Sequence, residues 1–215
     1  MSRPETHFHL DHLPPIDQFF IDEANNATYP WPSVDYEPGV PITTFDKTGN
    51  VKNHGVPIST PACTHQGVSV EGARHTLTSR TIAQTSSFIK TKFAQDAQAN
   101  LGRIKTKCLY NPPWSLYDWH QDQAGHKCCI NFLLTDTPGA RTIHKFPTDC
   151  KLNFQVDVVK YNLYYPLLFN TRIDHCVINM TDQHRYILQV LLFEVSYDVA
   201  KEYLVNYTLD SDTYL

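Results

Sequence analysis

The chain has 215 residues, 41% of them hydrophobic and 19% charged, which suits one compact domain with a substantial core and argues against intrinsic disorder. Eighteen basic against 22 acidic residues leave a net charge of −4, which excludes a strongly cationic nucleic-acid binder. No window approaches the roughly 18 consecutive apolar residues of a membrane helix, and the start Met1-Ser2-Arg3-Pro4 leads into polar sequence without a secretory pattern.

Nine of the 14 prolines fall in residues 1–61, among them Pro14-Pro15, Pro30, Pro32, Pro38 and Pro41. This predicts an irregular segment with short extended pieces, wrapped around a core made elsewhere. From Thr81 to Leu101 prolines vanish, and Ile82, Phe88, Ile89, Phe93 and Ala97 recur near helical spacing. The pattern predicts a helix over about 82–99, with Gly102 just past its end. After Gly102 the texture changes. Arg103–Tyr110, Leu116–His120, Lys127–Thr135, Arg141–Phe146, Leu152–Tyr161, Leu167–Asn170, His175–Asn179 and Arg185–Tyr197 read as eight strand-like runs. Asn111-Pro112-Pro113, Gln123-Ala124-Gly125, Asp136-Thr137-Pro138-Gly139 and Pro147-Thr148-Asp149 are turn signals between them. Eight closely spaced strands without helical crossovers predict a mainly β domain, a double-stranded β-helix of the jelly-roll or cupin-like kind, and not a doubly wound α/β sheet. The expected organisation is a single domain over 1–215. It comprises a flanking segment 1–101, a β core 103–197 and a tail 198–215 holding one short helix over about 198–207.

The six cysteines are Cys63, Cys108, Cys128, Cys129, Cys150 and Cys176. Cys128 and Cys129 are adjacent, no Cys-x-x-Cys pair exists and no export signal is visible. Reduced thiols in a cytoplasmic protein are therefore expected, with Cys128, Cys129 and Cys176 acting as small core hydrophobes.

Chemistry concentrates in two segments. The first is Tyr117-Asp118-Trp119-His120-Gln121-Asp122. A His and an Asp two apart at a strand end point to one side, so an imidazole nitrogen and a carboxylate oxygen can bind one metal from adjacent corners. The second runs from Leu168-Phe169-Asn170-Thr171 through His175 and Asn179 to Arg185, which opens an apolar strand. Two histidines and one carboxylate form the facial triad of non-haem Fe(II) oxygenases, with three positions left for a bidentate 2-oxo acid and dioxygen. An arginine fork suits the far carboxylate of such an acid.

With His120-x-Asp122, then His175, then Arg185 ten residues on, residues 103–197 resemble the Fe(II)/2-oxoglutarate-dependent dioxygenase superfamily. The context around His175 and Arg185 looks most like its aspartyl/asparaginyl and prolyl hydroxylase branches. The resemblance implies Fe(II) held by His120, Asp122 and His175, with 2-oxoglutarate and O2 as co-substrates. Oxidative decarboxylation to succinate and carbon dioxide would then be coupled to hydroxylation of a C–H bond. It also implies Arg185 for the far carboxylate and Tyr110 as a co-substrate contact, while Lys127, opening the third strand, and Asn131, alternating on it with Cys129 and Leu133, are further co-substrate candidates from their strand positions. Lys127 is an alternative to Arg185 as the carboxylate receptor; Asn179 and Tyr117 are further candidates. Where the prolyl hydroxylase branch often has a glycine between its tyrosine and His-x-Asp, this chain has Pro112-Pro113-Trp114. The expected substrate is a peptide or protein side chain, or an amino-acid-like small molecule. The acidic balance argues against a nucleic-acid base.

Plainer readings stand beside these. His120 and Asp122 could be a hydrogen-bonded pair on a strand edge, and His175 a satisfied core histidine. Arg185 could be a surface residue paired with Asp182 or Glu194, and Trp114 and Trp119 simple packing residues. The run His7-Phe8-His9-Leu10-Asp11-His12 matches the dinuclear-metal motif of metallo-β-lactamase-like hydrolases, but only six residues precede it and Pro14-Pro15 follows it. A cupin-like module that binds a small ligand without catalysis, or a structural jelly roll, would explain the strands and leave the polar positions coincidental.

Overall fold

In the computed structural model, residues 4–26, 36–45, 47–48, 50–57, 91–111, 113–122, 125–148 and 154–208 are described, with the backbone alone at 36–45 and 51–57 and at Glu23, Asn26, Lys107, Cys108 and Tyr110. The β-branched and aromatic runs after Gly102 form eight strands: β4 (Ile104–Asn111), β5 (Ser115–His120), β6 (Cys128–Leu133), β7 (Ala140–Pro147), β8 (Phe154–Val159), β9 (Pro166–Phe169), β10 (His175–Asn179) and β11 (Arg185–Leu192). Before them come β1 (His7–His9), α1 (Gln18–Asn26), β2 (Tyr36–Phe45), β3 (Val51–Pro57) and α2 (Lys92–Leu101); α3 (Tyr197–Asn206) follows.

Two antiparallel sheets result, with strand orders β1-β9-β6-β11-β4 and β3-β2-β5-β10-β7-β8. Numbered one to eight from β4 to β11, the core strands lie as 6-3-8-1 in one sheet and 2-7-4-5 in the other. Most consecutive strands therefore switch sheets, and the chain winds as a double-stranded β-helix. The expected fold class is what forms.

The N-terminal expectation needs correcting. The described residues before 58 are not merely irregular: β1 pairs with β9 (Phe8 opposite Leu168), and β2 extends the other sheet against β5 (Thr43 opposite Leu116). Short extended pieces gain stability by completing the ladders of strands already formed. The helix expected over 82–99 is α2, which starts at Lys92. Thr91 caps it by accepting the Ala94 amide at 3.2 Å, and Gly102, at φ 77°, ends it in a conformation that favours glycine. Residues 82–90 lie outside the described residues. The last strand stops at Leu192, short of the expected Tyr197, because Ser196 caps α3 by accepting the Val199 amide.

β11 is buried along its whole length, and the reason positions the site. Its Tyr186, Leu188, Val190 and Leu192 join Cys128, Ile130 and Phe132 of β6 in a core shared with all three helices, through Phe20, Ile21, Phe93, Ala97, Ala200 and Leu204. The alternate residues Arg185, Ile187 and Gln189 look the other way, into the space between the sheets. Helices cover one face, so polar chemistry is confined to the other. Among the described residues no helix is long and apolar enough to cross a membrane.

Candidate metal centre

His120 ends β5 and His175 opens β10, and the two are direct cross-strand partners. Between His175 and Val177 the register shifts: Val177 pairs with Tyr117, so Asp118 and Trp119 together oppose Cys176. This bulge changes the phase of β5, and Tyr117 and His120, three apart, both reach the cavity. Asp122 lies just past the strand, where its amide donates to the Thr171 carbonyl at 3.1 Å.

The structure brings His120, Asp122 and His175 together with one potential ligand atom from each, all within 4.8 Å of one another. The two imidazole centroids are 4.3 Å apart, and His120 Nε2 is 3.6 Å from Asp122 Oδ1. Ligand atoms about 2.1 Å from a first-row ion at right angles would sit about 3 Å apart, so closure of up to about 1.8 Å completes the set. Both rings are already oriented. His120 Nδ1 contacts the Asp118 carbonyl at 2.6 Å and His175 Nδ1 the Ile173 carbonyl at 2.9 Å. Each Nδ1 therefore carries the proton, which turns each Nε2 lone pair toward the common point. Burial pushes the His175 pKa down to about 4, with His120 beside it adding to the shift, so the ring is neutral and able to ligate at neutral pH. His144, the cross-strand neighbour of His175, is pushed down to about 3 by burial and by His175 and His7.

An open pocket joins this trio to Arg185. Arg185 is 2% exposed. Its Nη1 donates to Asn111 Oδ1 at 2.7 Å and its Nη2 to Thr142 Oγ1 at 2.9 Å, and the guanidinium lies 5.3 Å from the centroid of the Tyr161 ring. Among the described residues no carboxylate pairs with it; burial alone pulls its pKa below the ordinary value. Thr142 is the cross-strand partner of Val177, two residues along β10 from His175. The guanidinium is thus about 6.6 Å deeper than the imidazoles, at 3.3 Å per strand residue.

Between them stands a small polar group on β6 and β11. Asn131 Nδ2 donates to the Tyr161 hydroxyl at 3.3 Å, Cys129 Sγ donates to Asn131 Oδ1 at 3.2 Å, and Gln189 Nε2 approaches Cys129 Sγ at 3.6 Å. Gln189 Oε1 is buried with no partner among the described residues. Phe169 lies 5.0 Å from His175 and Tyr117 lies 4.3 Å from His120, ring to ring; burial holds the Tyr117 phenol well above its ordinary range.

Of the sequence-predicted residues, His120, Asp122, His175, Arg185 and Asn131 line this one pocket, as does Tyr117. Lys127 does not. It is exposed and its ammonium is directed to the Glu194 carbonyl, 3.4 Å away. It precedes β6 in the bend after Gly125, where its long side chain finds a surface acceptor. Tyr110 pairs through its backbone with Tyr186, but its side chain lies outside the described residues; the wall from that strand is Leu109 and Asn111. Asn179 is buried and bonded to the Asn111 and Gln183 carbonyls. Arg185 has neither Asp182 nor Glu194 as a partner. Asp182 instead accepts from Trp114 and pairs with Lys47. Among the described residues the His7–His12 run does not form a metal-ligand group, although the His7 and His9 rings lie 5.8 Å apart, edge to face. His12 Nε2 lies 2.9 Å from the Leu204 carbonyl of α3, while His7 lies 3.8 Å from Asp157.

Missed in the sequence were Asn111, Thr142, Tyr161, Phe169 and Gln189. Only Gln189 left a signal: it sits four residues after Arg185, on the same strand face. The sequence matches no family profile and no curated protein. Among solved structures it is similar to an oxidoreductase of the 2OG-Fe(II) oxygenase family from Burkholderia pseudomallei, at 12% identity over 76% of this chain and 75% of that one, with a TM-score of 0.41. It is also similar to a prolyl-4-hydroxylase from Pseudomonas putida, at 14% identity over 55% and 67%, TM-score 0.37. A third likeness is to a cupin domain from Bordetella pertussis, at 14% over 42% and 81%, TM-score 0.31. At such identities and TM-scores none of them bears on the chemistry of the pocket, which stands on its own residues.

Proposed function

We propose that the protein is an Fe(II)- and 2-oxoglutarate-dependent oxygenase that hydroxylates a C–H bond, with release of succinate and carbon dioxide. One observation carries the reading. A ligand trio of two imidazoles and a carboxylate shares a pocket with a buried guanidinium that has no carboxylate partner among the described residues. A buried cation without a counter-ion is costly, and a dicarboxylate reaching from the metal position would supply one.

The donor set fits iron: two imidazoles and a carboxylate on one side leave the opposite side free. Bound iron would bring the 2-oxo acid and dioxygen together and turn decarboxylation of the acid into oxidation of a neighbouring C–H bond. The chain's own contributions follow from its geometry. Arg185 binds the far carboxylate, fixed in place by Asn111 and Thr142. The depth between His175 and Arg185 sets the length of acid that fits, a few carbons between a chelating head and a terminal carboxylate. Asn131 and Gln189 offer amide hydrogen bonds along its middle, and Phe169, Val177 and Ile187 keep water from its flanks.

His120 and Asp122 stand nearer the rim, with side chains 9% and 22% exposed, so the oxidisable substrate approaches from their side. A peptide or protein side chain, or an amino-acid-like small molecule, suits an open mouth better than a sealed cavity would. The acidic overall charge disfavours a nucleic-acid substrate. The test is succinate release from 2-oxoglutarate with Fe(II) and ascorbate across candidate peptides and metabolites, with mass-spectrometric detection of products gaining one oxygen. Iron-dependent succinate that disappears in His175→Ala supports the reading. Tight 2-oxoglutarate binding without any succinate would mark a non-catalytic binding module instead.

A further inference from the structure

The ligand candidate Asp122 has a neighbour that the pocket does not include. His126 is 1% exposed, and its Nε2 lies 3.1 Å from Asp122 Oδ2, while Asp122 Oδ1 is the oxygen facing His120. The two carboxylate oxygens are therefore divided between two imidazoles on different sides. The arrangement is built. The Asp122 amide donates to the Thr171 carbonyl at 3.1 Å, and the Thr171 hydroxyl donates to the His126 carbonyl at 3.5 Å. Thr171, fully buried, thus clips both ends of the segment from Asp122 to His126. Gly125 just before it has φ 88°, and the Phe193 ring covers the imidazole edge at 5.8 Å.

The tautomer follows from chemistry. A carboxylate only accepts, so the hydrogen in the 3.1 Å contact belongs to His126 Nε2. His126 Nδ1 is buried with no hydrogen-bond partner among the described residues. As a bare lone pair it is the less costly group to leave unpaired; the opposite tautomer would bury an unused N–H and face a lone pair with a carboxylate.

We propose that His126 is a positioning residue that holds Asp122 through Oδ2, so that Oδ1 alone is presented to the metal. This inference rests on the metal-centre reading above. A carboxylate free to rotate could offer both oxygens and occupy a position that the 2-oxo acid or dioxygen requires. Held by His126, it takes one.

The test uses Co(II), a redox-stable stand-in with a visible spectrum sensitive to its ligands, titrated into wild type, His126→Phe and His126→Gln. His126→Phe fills the same space without a donor and should weaken Co(II) binding by roughly 10–100-fold with a changed spectrum. His126→Gln keeps an N–H and should restore affinity and spectrum to near wild type. Wild-type affinity in His126→Phe would overturn the proposal, as would a His126→Gln that binds no better than His126→Phe. Should His126→Phe fail to fold, long-range nitrogen–proton spectra of the zinc-loaded wild type decide. They should show His126 protonated at Nε2 and bare at Nδ1, and the reverse overturns the proposal. Failure of wild type itself to bind Co(II) would remove the metal centre and this inference together. Co(II) binding without any effect of 2-oxoglutarate would sink the oxygenase reading and leave the role of His126 intact.

Discussion

Replacing Arg185 by methionine separates a guanidinium kept for binding from one kept for structure. Methionine preserves most of the side-chain length and removes the charge. Two opposed effects set the outcome in the ligand-free protein. A desolvated charge costs several kcal/mol when no counter-ion is present, and removing it returns that amount. Against this, Asn111 Oδ1 and Thr142 Oγ1 lose their donors, at about 1–3 kcal/mol for each buried acceptor left unpaired. The sum lies within about 2 kcal/mol of zero, whereas removing one member of a buried structural ion pair costs about 3–5 kcal/mol. Ligand changes the comparison. At a hundred times its Kd, 2-oxoglutarate should stabilise the zinc-loaded wild type by about 2.7 kcal/mol. At about 2–4 °C per kcal/mol for a chain of this size, that is roughly 5–10 °C in Tm. Arg185→Met should lose most of this increment. The assay is urea and thermal unfolding followed by circular dichroism, with and without 2-oxoglutarate. A variant that is more than about 3 kcal/mol less stable without ligand, yet is stabilised by ligand as fully as wild type, would refute the reasoning.

Three further outcomes follow from the same geometry. Changing His120, Asp122 or His175 to alanine should weaken Mn(II) or Co(II) binding by more than about 100-fold in calorimetric titration, beyond what losing a supporting contact costs; unchanged affinity in any one would remove that residue from the trio. Leu188→Ala empties a site facing the helices and should cost about 2–5 kcal/mol in chemical denaturation. It should leave metal and 2-oxoglutarate affinity unaltered, since its side chain points away from the pocket; a large loss of affinity would contradict the division of β11 into two faces. Burial pushes the Cys128 and Cys176 thiols from 9.0 up to about 12. The fold therefore keeps protons that the unfolded chain releases above about pH 9, so stability falls as pH rises from about 9 toward 12. Alkylation of both thiols at pH 8.5, read by mass spectrometry, should be roughly a thousandfold slower in native than in unfolded protein, and equal rates would show the sites to be open.

The eight strands were legible because their apolar runs are short and the turn residues between them are explicit. Boundaries such as Ser115–His120 and His175–Asn179 fall within a residue of the expectation. The N-terminal strands were not, because their stability is borrowed: His7–His9 has no strand signal until β9 is present to pair with it. The site divides the same way. His120, Asp122, His175 and Arg185 carry distinctive chemistry and a recognisable spacing. Asn111 and Thr142 are ordinary polar residues whose role arises only from register, Asn111 opposite Arg185 and Thr142 opposite Val177. Tyr161 lies in the loop after β8 and His126 just before β6, and neither position has a periodicity to read. Lys127 was expected to open this strand, which instead begins one residue later at Cys128.

Alternation also explains why the pocket is polar at all. β11 and β6 are covered on both sides, and strands in that situation are ordinarily apolar throughout. Toward the helices they are. Toward the other sheet, Arg185, Gln189 and Asn131 occupy positions where valine or isoleucine would be more stable, and Gln189 leaves an acceptor unpaired among the described residues. Three such substitutions against stability on two adjacent strands, all opening onto one cavity and all aimed at the space beside His120, Asp122 and His175, are not explained by folding. The bulge at Asp118–Trp119 has the same character, since a regular ladder would have turned either Tyr117 or His120 away from the cavity. Local departures from what the fold alone would favour thus converge on one volume, where Arg185, Asn131 and Gln189 share a pocket with His120, Asp122 and His175.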